Sequence, residues 1–148
     1  MKLLQRKKVD VKSDEQKKEE RSRRGRNARA KGADFERSIA KRFQANYGIE
    51  LVRTPQSGGF AKNKQASEGF KGDIVPVDKN VELAIHIECK NQKQVSILKF
   101  LEQAKKDCPK GKIPHVVFHE FNTRNVYVAL PLEGYFQLVR DIEKKKGR

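Results

Sequence analysis

The chain has 148 residues, a length for one domain, with 34 Lys and Arg against 19 Asp and Glu and a formal net charge of +15. Only 36% of residues are hydrophobic and 36% are charged, so one core is attainable with a charged segment left outside it. No apolar run approaches the ~20 residues that cross a bilayer, and Met1–Leu4 is too short for the apolar part of a signal peptide, so no membrane association and a cytoplasmic location are expected.

The excess of cations points to a polyanionic partner, because Lys and Arg that neutralise phosphates release counterions. Nucleic acid is the expected polyanion. Cys89 and Cys108 form no CxxC pair, and the three histidines complete no zinc spacing. Two unpaired thiols in a reducing compartment are expected.

Residues 1–30 read as a basic flexible N-terminal arm, disordered or transiently helical. Its cations cluster at Arg21, Arg23, Arg24, Arg26 and Arg29, and between Leu4 and Ala28 only Val9 and Val11 are apolar. The arm is either a solvated tail or a grip on DNA phosphates. Residues 31–143 read as the folded domain and 144–148 as a basic tail. Phe35, Ile39, Phe43 and Tyr47 make a helical stripe from about Ala33, which Gly48 ends. Glu36 borders the stripe, as a cleft carboxylate or as a surface one.

Ile49–Thr54 reads as a strand closed by Pro55. Gln56–Lys71 is a long Gly-, Lys-, Ser- and Asn-rich loop, and such loops are usually functional or mobile. Its Phe60 and Phe70 are candidates for stacking on an unpaired base or for core packing. A strand opens at Asp73, with Pro76 placing it at an edge or a bulge. Asp78–Asn80 reads as a hairpin turn into Val81–Lys90. That segment alternates, with Val81, Leu83, Ile85, Ile87 and Cys89 on one face and Glu82, Ala84, His86, Glu88 and Lys90 on the other. Val95–Cys108 reads as a helix, His115–Phe121 and Asn125–Leu130 as strands, and Leu132–Ile142 as a closing helix. The order is αβββαββα, an α/β single domain with a mixed central β-sheet flanked by helices.

Glu88 and Lys90 stand two apart on a strand and so share a face. The expected hairpin brings Asp73 beside them. Two carboxylates and an ammonium then converge, which suits phosphodiester hydrolysis. Carboxylates hold a hard cation, the cation activates water and phosphoryl oxygen, and the ammonium steadies developing charge. A plain surface ion pair between Glu88 and Lys90 is the alternative, because ExK alone is a weak motif. His86 shares that face as a general base, a ligand or a bystander. Gln103 on the next helix is a further neighbour to consider.

The Asp before the ExK strand, the preceding helix with Glu36 and the net charge together resemble the PD-(D/E)XK nuclease superfamily, over roughly residues 31–130. Within it, Lys31-Gly32-Ala33-Asp34-Phe35-Glu36-Arg37, Val52-Arg53-Thr54-Pro55-Gln56-Ser57-Gly58-Gly59, Gly72-Asp73-Ile74 and Ile87-Glu88-Cys89-Lys90 are similar to archaeal-type Holliday-junction resolvases. The resemblance implies a restriction-endonuclease-like fold. It implies Glu36, Asp73 and Glu88 as ligands of Mg2+ (with Mn2+ as substitute), and these three with Lys90 as the catalytic set. It nominates Arg37, Arg53 and Ser57 for DNA contact. The basic residues Arg23, Arg24, Arg26, Arg29 and Lys31 are further DNA-binding candidates. Gly72 departs from the motif, which has proline there. A homodimer that cuts four-way or other branched DNA in recombination or repair is the implied function. A superfamily nuclease of other specificity (restriction-like or repair) and a non-catalytic DNA-binding module are the alternatives.

Overall fold

The computed structural model describes residues 13–54 and 72–146. The loop reading of Gln56–Lys71, with Ser57, Phe60 and Phe70, lies outside them. The chain divides into two compact units, residues 1–30 and 31–148.

Helix α1 runs Asp14–Tyr47. It begins well before the apolar stripe that marks it in the sequence. Ser13 and Gln16 form a reciprocal cap: Gln16 N donates to Ser13 Oγ (3.2 Å) and Ser13 N donates to Gln16 Oε1 (3.0 Å). Asp14 and Glu15 in the first turn face the positive end of the helix dipole. Lys17–Asp14 and Arg24–Glu20 ion pairs follow at helical spacing. Residues 14–30 are therefore helical through local propensity and pairing, without an apolar face. The helix ends as expected at Gly48, whose φ of 68° suits glycine and whose N–H donates to Gln44 O.

Strands β1 (Leu51–Arg53) and β2 (Ile74–Pro76) pair antiparallel, Leu51 opposite Pro76. Strand β3 (Ile85–Lys90) pairs parallel with β4 (Ile113–His119), which pairs antiparallel with β5 (Val126–Ala129). Helix α2 (Ile97–Asp107) crosses between β3 and β4, and α3 (Leu132–Lys146) follows β5. The order is αβββαββα, and parallel and antiparallel pairing mix as read from the sequence.

The strands form two sheet sections that share no ladder, antiparallel β1–β2 and mixed β3–β4–β5. The expected hairpin between the Asp73 strand and the Glu88 strand is only partly realised. The turn forms, with Asn80 N donating to Asp78 Oδ1 (2.8 Å) and Val81 N to Asp78 O (3.1 Å). The ladder does not continue, because residues 81–84 are not strand and Pro76 has no N–H to give. β2 instead pairs with β1, and Asp73 N donates to Ile87 O (3.0 Å).

One core cluster joins Phe35, Ile39 and Ala40 of α1 to Leu51, Ile74, Ile87, Cys89 and Val117. A second joins Phe100 and Ala104 of α2 to Val116. Ile87 and Cys89 thus pack with α1, as their alternation predicts. The other face of β3 is not solvated: His86 and Glu88 are buried too. Gly134 opens a close contact of α3 on the sheet, since a Cβ there would overlap Ile113 Cγ2.

Candidate active site

β3 is built to hold polar groups out of water. Glu88 is 7% exposed and its neighbour His86 2%. Glu88 Oε2 accepts from Lys90 Nζ at 3.2 Å, and Lys90 Nζ also donates to Gln103 Oε1 of α2 at 3.2 Å. The Lys90 ammonium lies 5.8 Å from the Phe100 ring centre. Lys90 is therefore held between a carboxylate, an amide and an aromatic face. Burial pushes Glu88 upward, but a His86 interaction and the Lys90 charge outweigh it, leaving Glu88 below the ordinary range.

Asp73 enters through the junction of the two sheet sections. Its backbone is fixed at both ends: Asp73 N donates to Ile87 O and Asp73 O accepts from Thr54 N. Its Oδ2 accepts from Cys89 N at 2.7 Å. The carboxyl is nevertheless pushed up to about 6, first by burial and then by the Glu88 charge, with Glu36 adding to the push. Burial and the same three carboxylates drive the Cys89 thiol far up, so Cys89 is inert. Glu36 extends from α1, and Arg53 Nε donates to its Oε2. Asp73 thus senses both Glu88 and Glu36.

Negative charge gathers around Asp73 beyond what Lys90 and the Cys89 amide offset, which is a setting for a cation with oxygen ligands. Carboxylate oxygens are donors of the kind a hard divalent cation takes. Among the described residues no three acidic, imidazole or thiol side chains stand together at metal-holding distance. Glu36 is turned to Arg53, and Glu88 to Lys90.

His86 shares the face of Glu88, as the alternation implies. Its Nε2 stands 3.6 Å from Glu88 Oε1. That exceeds hydrogen-bond length, and neither ring nitrogen has a hydrogen-bond partner among the described residues. The ring fits because residue 72 is glycine. A Cβ at Gly72 would lie 3.3 Å from His86 Cε1 and Nδ1 and 3.2 Å from Ile87 O, and φ there is 111°. Proline, fixed near −65°, cannot adopt that backbone. The departure from the motif therefore has a local steric reason.

The basic residues fall in several places. Arg37 pairs with Asp34 on the surface of α1. Arg53 is committed to Glu36. Lys31 is exposed, and its carbonyl accepts from Asn91 Nδ2 at 3.2 Å. Arg23, Arg24, Arg26 and Arg29 are exposed on α1, with Arg24 paired to Glu20 and Arg26 bonded to Ser22 Oγ. Sequence reasoning missed the commitment of Arg53 to Glu36, because no local pattern couples residues on a helix and on a strand edge. Cys89 and Cys108 are both unpaired. No helix among the described residues is long and apolar enough to cross a membrane.

These features define an α/β protein with an acidic, lysine-bearing site at the junction of its sheet sections. A family model described as "phage putative PDDEXK endonuclease" matches residues 27–147. That span covers most of the chain, and the protein belongs to this family of endonucleases in the PD-(D/E)XK superfamily. No curated protein and no solved structure matches the chain.

Proposed function

We propose that the protein is a divalent-metal-dependent DNA endonuclease in which Glu36, Asp73 and Glu88 hold magnesium and Lys90 assists the cut. The observation that carries this is the convergence on Asp73. Its half-buried carboxyl lies within the fields of Glu88 and Glu36, and Lys90 Nζ stands 3.2 Å from Glu88 Oε2. Magnesium, when bound, supplies Lewis acidity at the phosphoryl group. Lys90 holds the negative charge that develops on phosphate oxygen, and Gln103 and the Phe100 ring keep its ammonium in place. The Cys89 amide fixes one Asp73 oxygen and leaves the other for a ligand.

The test is plasmid and oligonucleotide cleavage with magnesium. Asp73→Asn and Glu88→Gln are expected to bind DNA and not cut it. Lys90→Ala is expected to lose about 10²-fold in rate. Undiminished cutting by Asp73→Asn and Glu88→Gln would falsify the assignment.

The finer reading is a homodimer that cuts four-way or other branched DNA in recombination or repair. Its support is the resemblance of the four segments quoted from the sequence. For the dimer there is also an uncovered apolar stripe on α3: Leu132, Tyr135, Phe136, Val139 and Ile142 are each more than a third exposed. A two-fold axis lets such a stripe cover itself on a second copy. Cleavage of a four-way junction is compared with that of linear duplex of the same sequence. Faster cutting of the junction is expected, and equal rates sink the resolvase reading.

A further inference from the structure

A groove of about 430 Å³ lies between α1 and the ends of β3, β4 and β5. It falls within the ~300–1,000 Å³ range of small-ligand pockets. His119 and Val126, both half-buried, give it aromatic and apolar surface, with the core residue Phe35 behind them and its ring edge to face with that of His119 at 6.0 Å. Lys31, Arg42 and Arg124 supply its cations. None of the three has an ion-pair partner among the described residues, whereas the groove's Asp34 is already paired with Arg37. Two lining residues are chain neighbours of the active site: Phe35 precedes Glu36, and Asn91 follows Lys90.

Arg124 is presented by an ordered turn. Glu120 Oε2 accepts from Asn125 Nδ2 (2.8 Å), Thr123 Oγ1 (3.2 Å) and Tyr127 Oη (3.3 Å). Glu120 N donates to Asn125 O and Thr123 N to Glu120 O, while Asn122 takes a φ of 62°. Hydrogen bonds from Asn125 and Thr123 hold the Glu120 carboxyl below its ordinary range. The turn fixes the backbone that carries this guanidinium at the groove.

We propose that this groove takes one unpaired nucleotide of a DNA strand, its base against the His119–Val126 surface backed by Phe35, and its phosphates on Lys31, Arg42 and Arg124. A track for duplex backbone needs cations but no apolar floor. A stacked base needs that floor, because every base has a π-face and stacking is sequence-tolerant. This assignment deepens the endonuclease reading and rests on it for the identity of the polymer. It names the feature of branched or interrupted DNA that the protein selects.

The experiment measures binding of the full-length protein by fluorescence anisotropy in calcium. The probes are a labelled duplex and the same duplex carrying a short single-stranded gap. Wild type is expected to bind the gapped probe about 5- to 150-fold tighter, as one stacked base supplies about 1–3 kcal/mol. Ser38→Trp, which fills the groove from α1, is expected to bring the ratio near 1, and Arg124→Ala, on the exposed turn, to lower it by removing one phosphate contact of the unpaired nucleotide. Circular dichroism checks both folds, and Arg124→Ala suffices if the tryptophan variant misfolds. Equal wild-type affinities, or a ratio that Arg124→Ala leaves unchanged, overturn the proposal. A preference for free deoxynucleoside monophosphate that abolishes the gap effect supports the same pocket. Cleavage with magnesium is measured in parallel. If wild type cuts neither probe, the endonuclease reading fails, while the binding ratio still decides the groove.

Discussion

Asp73 stays charged at neutral pH only against the cost of burial and the repulsion of two carboxylates. Its pKa is about 6 in the fold against 3.8 for an ordinary aspartate. Between those pH values the native state holds more protons than the unfolded chain, so stability falls as pH rises through that window. In chelator at pH 7.5, Asp73→Asn is therefore expected to melt higher than wild type by about 2–8 °C. At pH 4 the two should coincide. Magnesium should raise the wild-type melting temperature and leave the variant unmoved. An equal gap at both pH values would mean that the carboxyl is not destabilised. The contact between Gly72 and His86 makes a second claim at this scale. Gly72→Ala is expected to cost about 1–3 kcal/mol through its positive φ and the tight ring contact. In a His86→Ala background the cost should drop, and a double-mutant cycle of denaturant melts reads that coupling.

At the scale of elements, α3 depends on the missing side chain of Gly134. Alanine is ordinarily the better helix residue by about 1 kcal/mol. Here its Cβ would overlap Ile113 Cγ2, on a side chain only 3% exposed. Gly134→Ala is expected to lower stability by about 1–3 kcal/mol, measured by thermal melting, and an unchanged or raised Tm would contradict the close packing. The elements themselves were legible where a local rule forces them. The stripe of Phe35 and Ile39 located the buried stretch of α1, and Gly48 located its end. The start of α1 at the Ser13–Gln16 cap was not legible from periodicity, because the first part of the helix has no apolar stripe. The alternation of β3 identified its two faces but carried no measure of how far the polar one is buried. Neighbouring elements cover it, so His86 and Glu88 are buried. The pairing of β2 with β1 was not legible, since it depends on residues distant in the chain. Likewise Asp73, Glu88 and Lys90 could be proposed from spacing, whereas the hold of Arg53 on Glu36 appears only once α1 and β1 are packed.

On the scale of the whole molecule, a formal net charge of +15 makes association with DNA salt-dependent. The logarithm of the binding constant should fall linearly with that of salt concentration. Arg42→Ala and Arg124→Ala should each flatten the slope by about 1 if they neutralise a phosphate. An unaltered slope would place those side chains outside the complex. The exposed stripe of α3 predicts concentration-dependent sedimentation, and Phe136→Glu should leave only monomer. A monomer at every wild-type concentration would remove the dimer.

Parallel strands cannot be joined by a tight turn. β3 meets β4 only after α2 has crossed over, so Ile85 pairs with Ile113 and Lys90 with Phe118. The strand that carries Glu88 and Lys90 must therefore wait for a distant segment, with the loop-closure cost met before the ladder forms. During refolding from denaturant, most helical signal is expected first, from local contacts in α1 and α3. Cutting activity should return later, together with protection of the β3 amides from hydrogen exchange. A nascent chain that has not yet extended through β4 is thus expected to lack nuclease activity even when the three acidic residues and the lysine have already been synthesised.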